Sequence, residues 1–290
     1  MDAKFHEAIA AIEAGDLALF ESLVKQDPTL ATSRSARSHP TLLQCLVLRG
    51  KDVSNHIEMA EVLIDSGAEL NEPLVACGSC DNVALAALLL DHGAAINGAG
   101  GWSPLEEALY WSSKAVIDLY LQRGAAIANL RIAAGLGRTD LIEDFFNADG
   151  SLKPEAGIIN WPWGDLDVIA SSNHPPAGKA QLATKFKSFA NDAHSVINNA
   201  LVYASMHGHI PAASQLLEKG ADINAIPGGF DYSGSALHYA ALKGHREMVE
   251  FLIEHGADTK LRDTKVGSTA AGWAEHGGHE DIMKYLDELG

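Results

Sequence analysis

One block of this chain recurs along its length, and that recurrence limits the folds open to it more than any other feature. GSALHYAALKGHREMVEFLIEHGADTK (234–260) is matched by NALVYASMHGHIPAASQLLEKGADIN (199–224), offset by 36 residues from Gly220 to Gly256. The second half of the block returns as MAEVLIDSGAELN (59–71), LAALLLDHGAAIN (85–97) and VIDLYLQRGAAIA (116–128). STAAGWAEHGGHEDIMKYLDELG (268–290) repeats most of it, RIAAGLGRTDLIEDFF (131–146) its middle, and AIAAIEAGDLALFESLV (8–24) opens the series. A period of this size marks a repeat architecture, in which each unit buries its apolar face only against its neighbours.

The physics of one unit is readable. Leu237, Ala240 and Ala241 fall at i, i+3 and i+4, one face of a first helix, and small residues there allow close packing. Gly244 ends that helix. Val249, Leu252 and Ile253 give a second helix the same spacing, and Gly256 follows where a helix end wants a residue tolerant of positive φ. GWSPLEEAL (101–109) carries a helix start: Ser103 as N-cap, Pro104 in the first turn, and Glu106 three residues after the cap.

SALHYAALKGH with EFLIEHGAD, and the Gly-Ala pairs at 67–68, 93–94, 124–125, 220–221 and 256–257, resemble the ankyrin repeat family. The resemblance covers nearly all of the chain except about 148–195. It implies an all-α helical solenoid of paired antiparallel helices with short loops projecting from one edge, here about eight units with the first and last as caps. It also implies architectural roles for histidines. His56, His209, His245 and His279 fall at the turn between the two helices, His92 and His255 precede the Gly-Ala turn, and His238 braces neighbouring loops. The pattern is irregular in places. Only one unit has S-A-L-H, while others read SPLE (103–106) or STAA (268–271), and Gly spacings of 26 and 31 residues precede ones of 36 and 34. Gly124 to Gly220 spans 96 residues, where two ordinary units take about 66. The expected organisation is therefore repeats one to five over 1–147, an insertion over 148–195, and repeats six to eight over 196–290.

The first part of that insertion, ADGSLKPEAGIINWPWGDLDVIASSNHPPAG, is loop-like in its proline and glycine content. The second, AQLATKFKSFANDAHS, sets Leu182, Phe186 and Phe189 at i, i+4 and i+7, which predicts an amphipathic helix near 179–191 carrying Lys179, Lys185 and Lys187. Disordered segments are poor in aromatics, so two tryptophans and two phenylalanines predict an ordered cover over the inner helices, the alternative being a disordered linker that splits the stack in two.

A formal charge of −17 argues against nucleic acid and acidic membranes as partners, because phosphate binding needs clustered lysine and arginine. No apolar run approaches the roughly 20 residues of a membrane span, and the first residues lack a signal-peptide layout, so a cytoplasmic protein is expected. Cys77 and Cys80 form a C-x-x-C without a second pair or nearby histidine, and read with Cys45 as reduced structural cysteines. His207-Gly-His209 lacks a third ligand, so neither metal nor cofactor is expected.

Two functions remain. The first is a protein-interaction scaffold, which the resemblance implies, binding a protein partner through the concave inner helices and the loop tips. Its contact residues would be Trp102, Tyr110, Trp111, Phe230, Tyr232, Tyr239 and Trp273, the last standing where the preceding unit has Ala240, with Trp161 and Trp163 added from the insertion. The second is a binder of a small organic ligand, or an acid–base enzyme such as a lyase, isomerase or hydrolase, with a pocket closed by the insertion. There Asp165, Asp167, His174, His194 and His207 would be the acid–base groups, since a carboxylate beside tryptophan in a closed pocket has a raised pKa.

Overall fold

The computed structural model describes residues 3–35, 41–98, 102–159, 192–230 and 233–289. These fall into two compact units, one of residues 3–126 and one of residues 127–159 with 192–289. All regular structure among them is helical, and the only pairing of strand type is a single bridge between Phe146 and Leu152. Each unit is the all-α stack of helix pairs that the resemblance implies.

The first unit holds four helix pairs: α1 (His6–Ala14) with α2 (Leu17–Gln26), α4 (Leu42–Arg49) with α5 (His56–Asp65), α6 (Asn71–Cys80) with α7 (Val83–Asp91), and α8 (Pro104–Trp111) with α9 (Lys114–Gln122). A short helix α3 (Thr29–Thr32) links the first two pairs. First helices pack on first helices in the order α1, α4, α6, α8, and second helices on second helices in the order α2, α5, α7, α9. The second unit repeats the plan with α10 (Leu130–Gly135) and α11 (Thr139–Ile142), α12 (Ala193–Met206) and α13 (Ile210–Glu218), α14 (Ala236–Leu242) and α15 (Arg246–Glu254), and α16 (Ala270–His276) and α17 (Glu280–Leu289). Its first helices pack in the order α10, α12, α14, α16. Pair five therefore stacks directly on pair six, although half a hundred residues separate them in sequence.

Local chemistry starts and stops these helices. Asp16, Thr41, Asn82, Ser103, Asn129 and Asp192 each accept the backbone N–H three residues on, meeting donors that a helix start leaves open. Ser103 and Glu106 form the reciprocal capping box read from SPLE. At the other end, the glycines of the five Gly-Ala pairs all have φ between 85° and 94°, and each following alanine N–H returns to a carbonyl five residues back, as Ala257 does to Leu252 at 2.9 Å. One asparagine per loop then ties repeats together. Asn71, Asn97 and Asn224 each accept, at 2.8 Å, the N–H of the residue after the next Gly-Ala pair: Ala95, Ala126 and Asp258.

The buried residues follow the same logic. Leu63, Leu89, Leu216 and Leu252 recur as the fully buried leucine of the second helices, and Ala60, Ala86, Ala212 and Val249 lie one turn before them. The first helices are buried almost all round: Leu42–Val47, Pro104–Tyr110, Leu130–Gly135 and Ala236–Ala241 contain no exposed residue. No helix among the described residues is long and apolar enough to cross a membrane.

Candidate functional site

The described aromatic residues expected to form a contact surface fall into two groups, one in each unit. In the first unit, α8 places Tyr110 and Trp111 at its C-terminal end, and Trp102 lies in the loop before it. Trp102 meets Tyr110 edge-on at 6.3 Å, and Tyr110 meets Trp111 edge-on at 5.4 Å. Trp102 and Tyr110 are each 9% exposed, whereas Trp111 is 44% exposed.

A residue that the sequence reading passed over organises this group. Glu107 is 2% exposed on the buried stripe of α8. Its Oε2 accepts the Trp102 indole N–H at 2.8 Å, and its Oε1 accepts the Trp111 indole N–H at 2.9 Å and the Ser79 hydroxyl from α6. Three donors on one carboxylate stabilise its charged form and fix both indoles. The signal was present in the sequence: Glu107 lies four residues before Trp111, one helical turn below it. Beneath this group Tyr120 is fully buried and donates to the Leu74 carbonyl at 2.6 Å, and burial raises its phenol far above the usual range. Cys45, Cys77 and Cys80 are free thiols whose pKa burial pushes up, as structural cysteines require.

In the second unit an aromatic chain runs across three repeats. Tyr203 on α12 meets Phe230 at 5.4 Å, Phe230 meets Tyr239 on α14 at 5.0 Å, and Tyr239 meets Trp273 on α16 at 5.1 Å. All four are at most 6% exposed. Counting from the helix starts at Ala236 and Ala270, Trp273 occupies the position of Tyr239, and Ala274 that of Ala240. The expected equivalence of Trp273 with Ala240 is thus one residue out, because the shared turns align at Gly244 and Gly278. Trp273 packs on the His238 ring and donates its indole N–H to Asp263 at 3.1 Å.

Asp263 is the second organising acid that the sequence reading missed. Its Oδ1 accepts the N–H groups of Lys265, Val266 and Gly267, and its Oδ2 that of Ser268. Burial acts to raise its pKa, but these backbone donors and the Trp273 indole outweigh it and hold the carboxyl well below the usual range. His238 behaves as the resemblance implied: Nδ1 accepts from Ser235 and Nε2 contacts the Ser268 carbonyl of the next repeat at 3.2 Å. His245 reaches back in the same way to the Met206 carbonyl at 2.9 Å.

The acid–base set does not assemble among the described residues. His194 is exposed in the first turn of α12 and His207 caps the far end of the same helix, about 20 Å away at 1.5 Å per residue. His207 stacks on His209 with centroids 6.2 Å apart. Trp161, Trp163, Asp165, Asp167, His174 and Tyr232, together with the helix expected near 179–191, lie outside the described residues. No cluster of metal-ligating side chains occurs among the described residues. A cleft between Asn129, Arg131, Ile158, Ile159, Val196 and Asn199 measures about 10 Å³, room for about one water.

A family model described as ankyrin repeats (3 copies) matches residues 166–263 and 227–290. Residues 166–290 carry ankyrin repeats, and residues 3–126 are likewise built of helix pairs. No curated protein matches it.

Proposed function

We propose that this ankyrin-repeat chain is a protein-interaction scaffold, binding a partner through the exposed ends of its first helices and the projecting loop tips. Ankyrin repeats generally mediate protein–protein interaction. The observation that carries the reading is the division of labour within each repeat. Second helices and Gly-Ala turns repeat their residue types along the stack, as architecture demands, whereas loop tips and the ends of first helices differ from unit to unit. Val266, at the tip of the loop pinned by Asp263, is 70% exposed, and Trp111 is the exposed aromatic at the end of α8. Large rigid side chains on a fixed scaffold lose little entropy on association, which is how repeat surfaces bind without a pocket.

Cross-linking tests this. The intact chain is incubated with cell extract, treated with a lysine-reactive cross-linker and read by mass spectrometry. A partner should be recovered reproducibly, with cross-links at Lys260 and Lys265 on the last loop. Lys284, exposed on the second helix α17, should stay unlinked. Recovery of no protein, or links confined to Lys284, overturns the proposal.

A further inference from the structure

Removing the architecture from the repeats isolates one column of positions. The residue just before the positive-φ turn that ends a first helix is Ala14, Cys80 and Trp111 in the first unit, ahead of Gly15, Asp81 and Ser112. In the second unit it is Leu136, His207, Lys243 and Gly277. Stacking sets no residue type here, since the side chain differs in each of these seven repeats. At Trp111 the column carries the largest side chain available, and 44% of it faces solvent.

The setting of that ring is specific. Its indole N–H is held by Glu107 at 2.9 Å and its ring lies nearly perpendicular to that of Tyr110, so the ring cannot turn away without giving up a charge-assisted hydrogen bond. The electron-rich face of an indole attracts cations better than any other side-chain ring. The Glu107 carboxylate, bonded at the N–H edge of the same indole, adds negative charge within reach of that face. The whole chain, at −17, draws cationic partners toward it over longer range. An apolar partner would use the ring's area but neither the carboxylate nor the long-range charge.

We propose that Trp111 is a preorganised anchor that receives a cationic side chain, arginine or lysine, from a basic segment of a protein partner, with Glu107 as its positioning residue. This rests on the scaffold reading and adds the partner's chemistry. Rigid aromatic anchors of this kind carry a disproportionate share of interface energy.

The test uses the full chain and a short Gly/Ser peptide bearing several arginines, beside the matched peptide with neutral citrulline in place of arginine. Binding is read from the indole N–H signals in a ¹H–¹⁵N spectrum, with the Trp111 signal assigned by its absence in Trp111→Phe. The arginine peptide should move the Trp111 signal and the citrulline peptide should not. Trp111→Phe, which keeps an aromatic face, should weaken binding about two- to threefold, and Trp111→Leu, which keeps only apolar area, about 3- to 30-fold. Glu107→Gln should weaken binding and shift the Trp111 signal in the free protein. Arginine-peptide binding that leaves the Trp111 signal in place overturns the inference, as does Trp111→Leu binding as tightly as the parent. If no protein is recovered from extract while the peptide still binds at Trp111, the scaffold reading fails and the cation preference stands.

Discussion

Replacing Asp263 by asparagine changes little in size and much in energy. Asp263 is 4% exposed and its two oxygens accept five N–H groups: Lys265 at 2.8 Å, Val266 at 2.7 Å, Gly267 at 3.3 Å, Ser268 at 2.8 Å and the Trp273 indole at 3.1 Å. An amide keeps one acceptor oxygen, and whichever way it is placed its NH₂ faces at least two of these donors. Hydrogen bonds to a charged group contribute about 1.5–3 kcal/mol each, and a stranded buried donor costs about 1–3 kcal/mol. After partial relaxation the expected loss is about 2–4 kcal/mol. Because a terminal repeat can open by itself, hydrogen exchange at the Lys265, Val266 and Ser268 amides is a better measure than global unfolding alone. Their protection should fall about 30-fold or more. The pH profile supplies the sign. The folded carboxyl titrates below its unfolded value of about 3.9, so its contribution is present above pH about 4 and is lost as pH falls through the folded value. The difference between parent and Asp263→Asn should be flat from neutral pH to about 4 and close below that. A protection loss under about threefold, or a difference that already closes near pH 6, refutes the reasoning.

Glycine substitutions separate backbone strain from crowding. Gly256 has φ +94° with open space around a new Cβ, so Gly256→Ala should cost about 1–2 kcal/mol in urea unfolding. Gly244 has φ +77° and a Cβ there would lie 2.4 Å from the His279 ring, so Gly244→Ala should cost about 1–3 kcal/mol more. Tyr120→Phe removes the hydroxyl bond to Leu74 and should lower stability by about 1 kcal/mol, read from the urea midpoint. Burial lowers the pKa of His209, His238 and His245, with carbonyl hydrogen bonds opposing it. Their folded values lie below the unfolded value of about 6.5, so their neutral forms are favoured and stability falls as pH drops through about 6.5. Thermal melts at pH 7.5 and 5.5 should show that loss, and equal melting temperatures would sink the assignment.

The repeat plan was legible because the same few residues solve the same local problem in every unit. Gly67, Gly93, Gly124, Gly220 and Gly256 all sit where a helix end needs positive φ, and Ser103 with Glu106 forms the box its spacing announces. Those are short-range requirements, satisfied within a few residues, so a linear reading finds them. What it could not see was how distant groups converge. Asp263 reads as an ordinary loop acid, and its role depends on Trp273, ten residues and one helix away. Glu107 reads as the second acid of a helix start, and becomes a hub only when α6 delivers Ser79 and the loop delivers Trp102. Of the expected acid–base set Asp165, Asp167, His174, His194 and His207, only the last two lie among the described residues. A helix of 14 residues sets His194 and His207 at its two ends, a separation that closeness in sequence does not reveal.

The two acids also sort the tryptophans. In both units a buried carboxylate accepts indole N–H groups, so the polar end of the ring is satisfied and only its faces remain to be used. For Trp273 both uses are internal: its N–H ties loop to helix and its ring closes the chain of Tyr203, Phe230 and Tyr239. Trp102 is likewise buried against Tyr110. Trp111 has the same anchor but leaves nearly half its surface in water, a cost that stacking does not require, since Cys80 and Ala14 fill the equivalent positions in the same unit with smaller side chains. An aromatic fixed by a charge-assisted bond yet left exposed is what an interface needs in advance of its partner. The internal comparison, repeat against repeat, therefore separates, among the described tryptophans, those that build the stack from Trp111, which the stack presents.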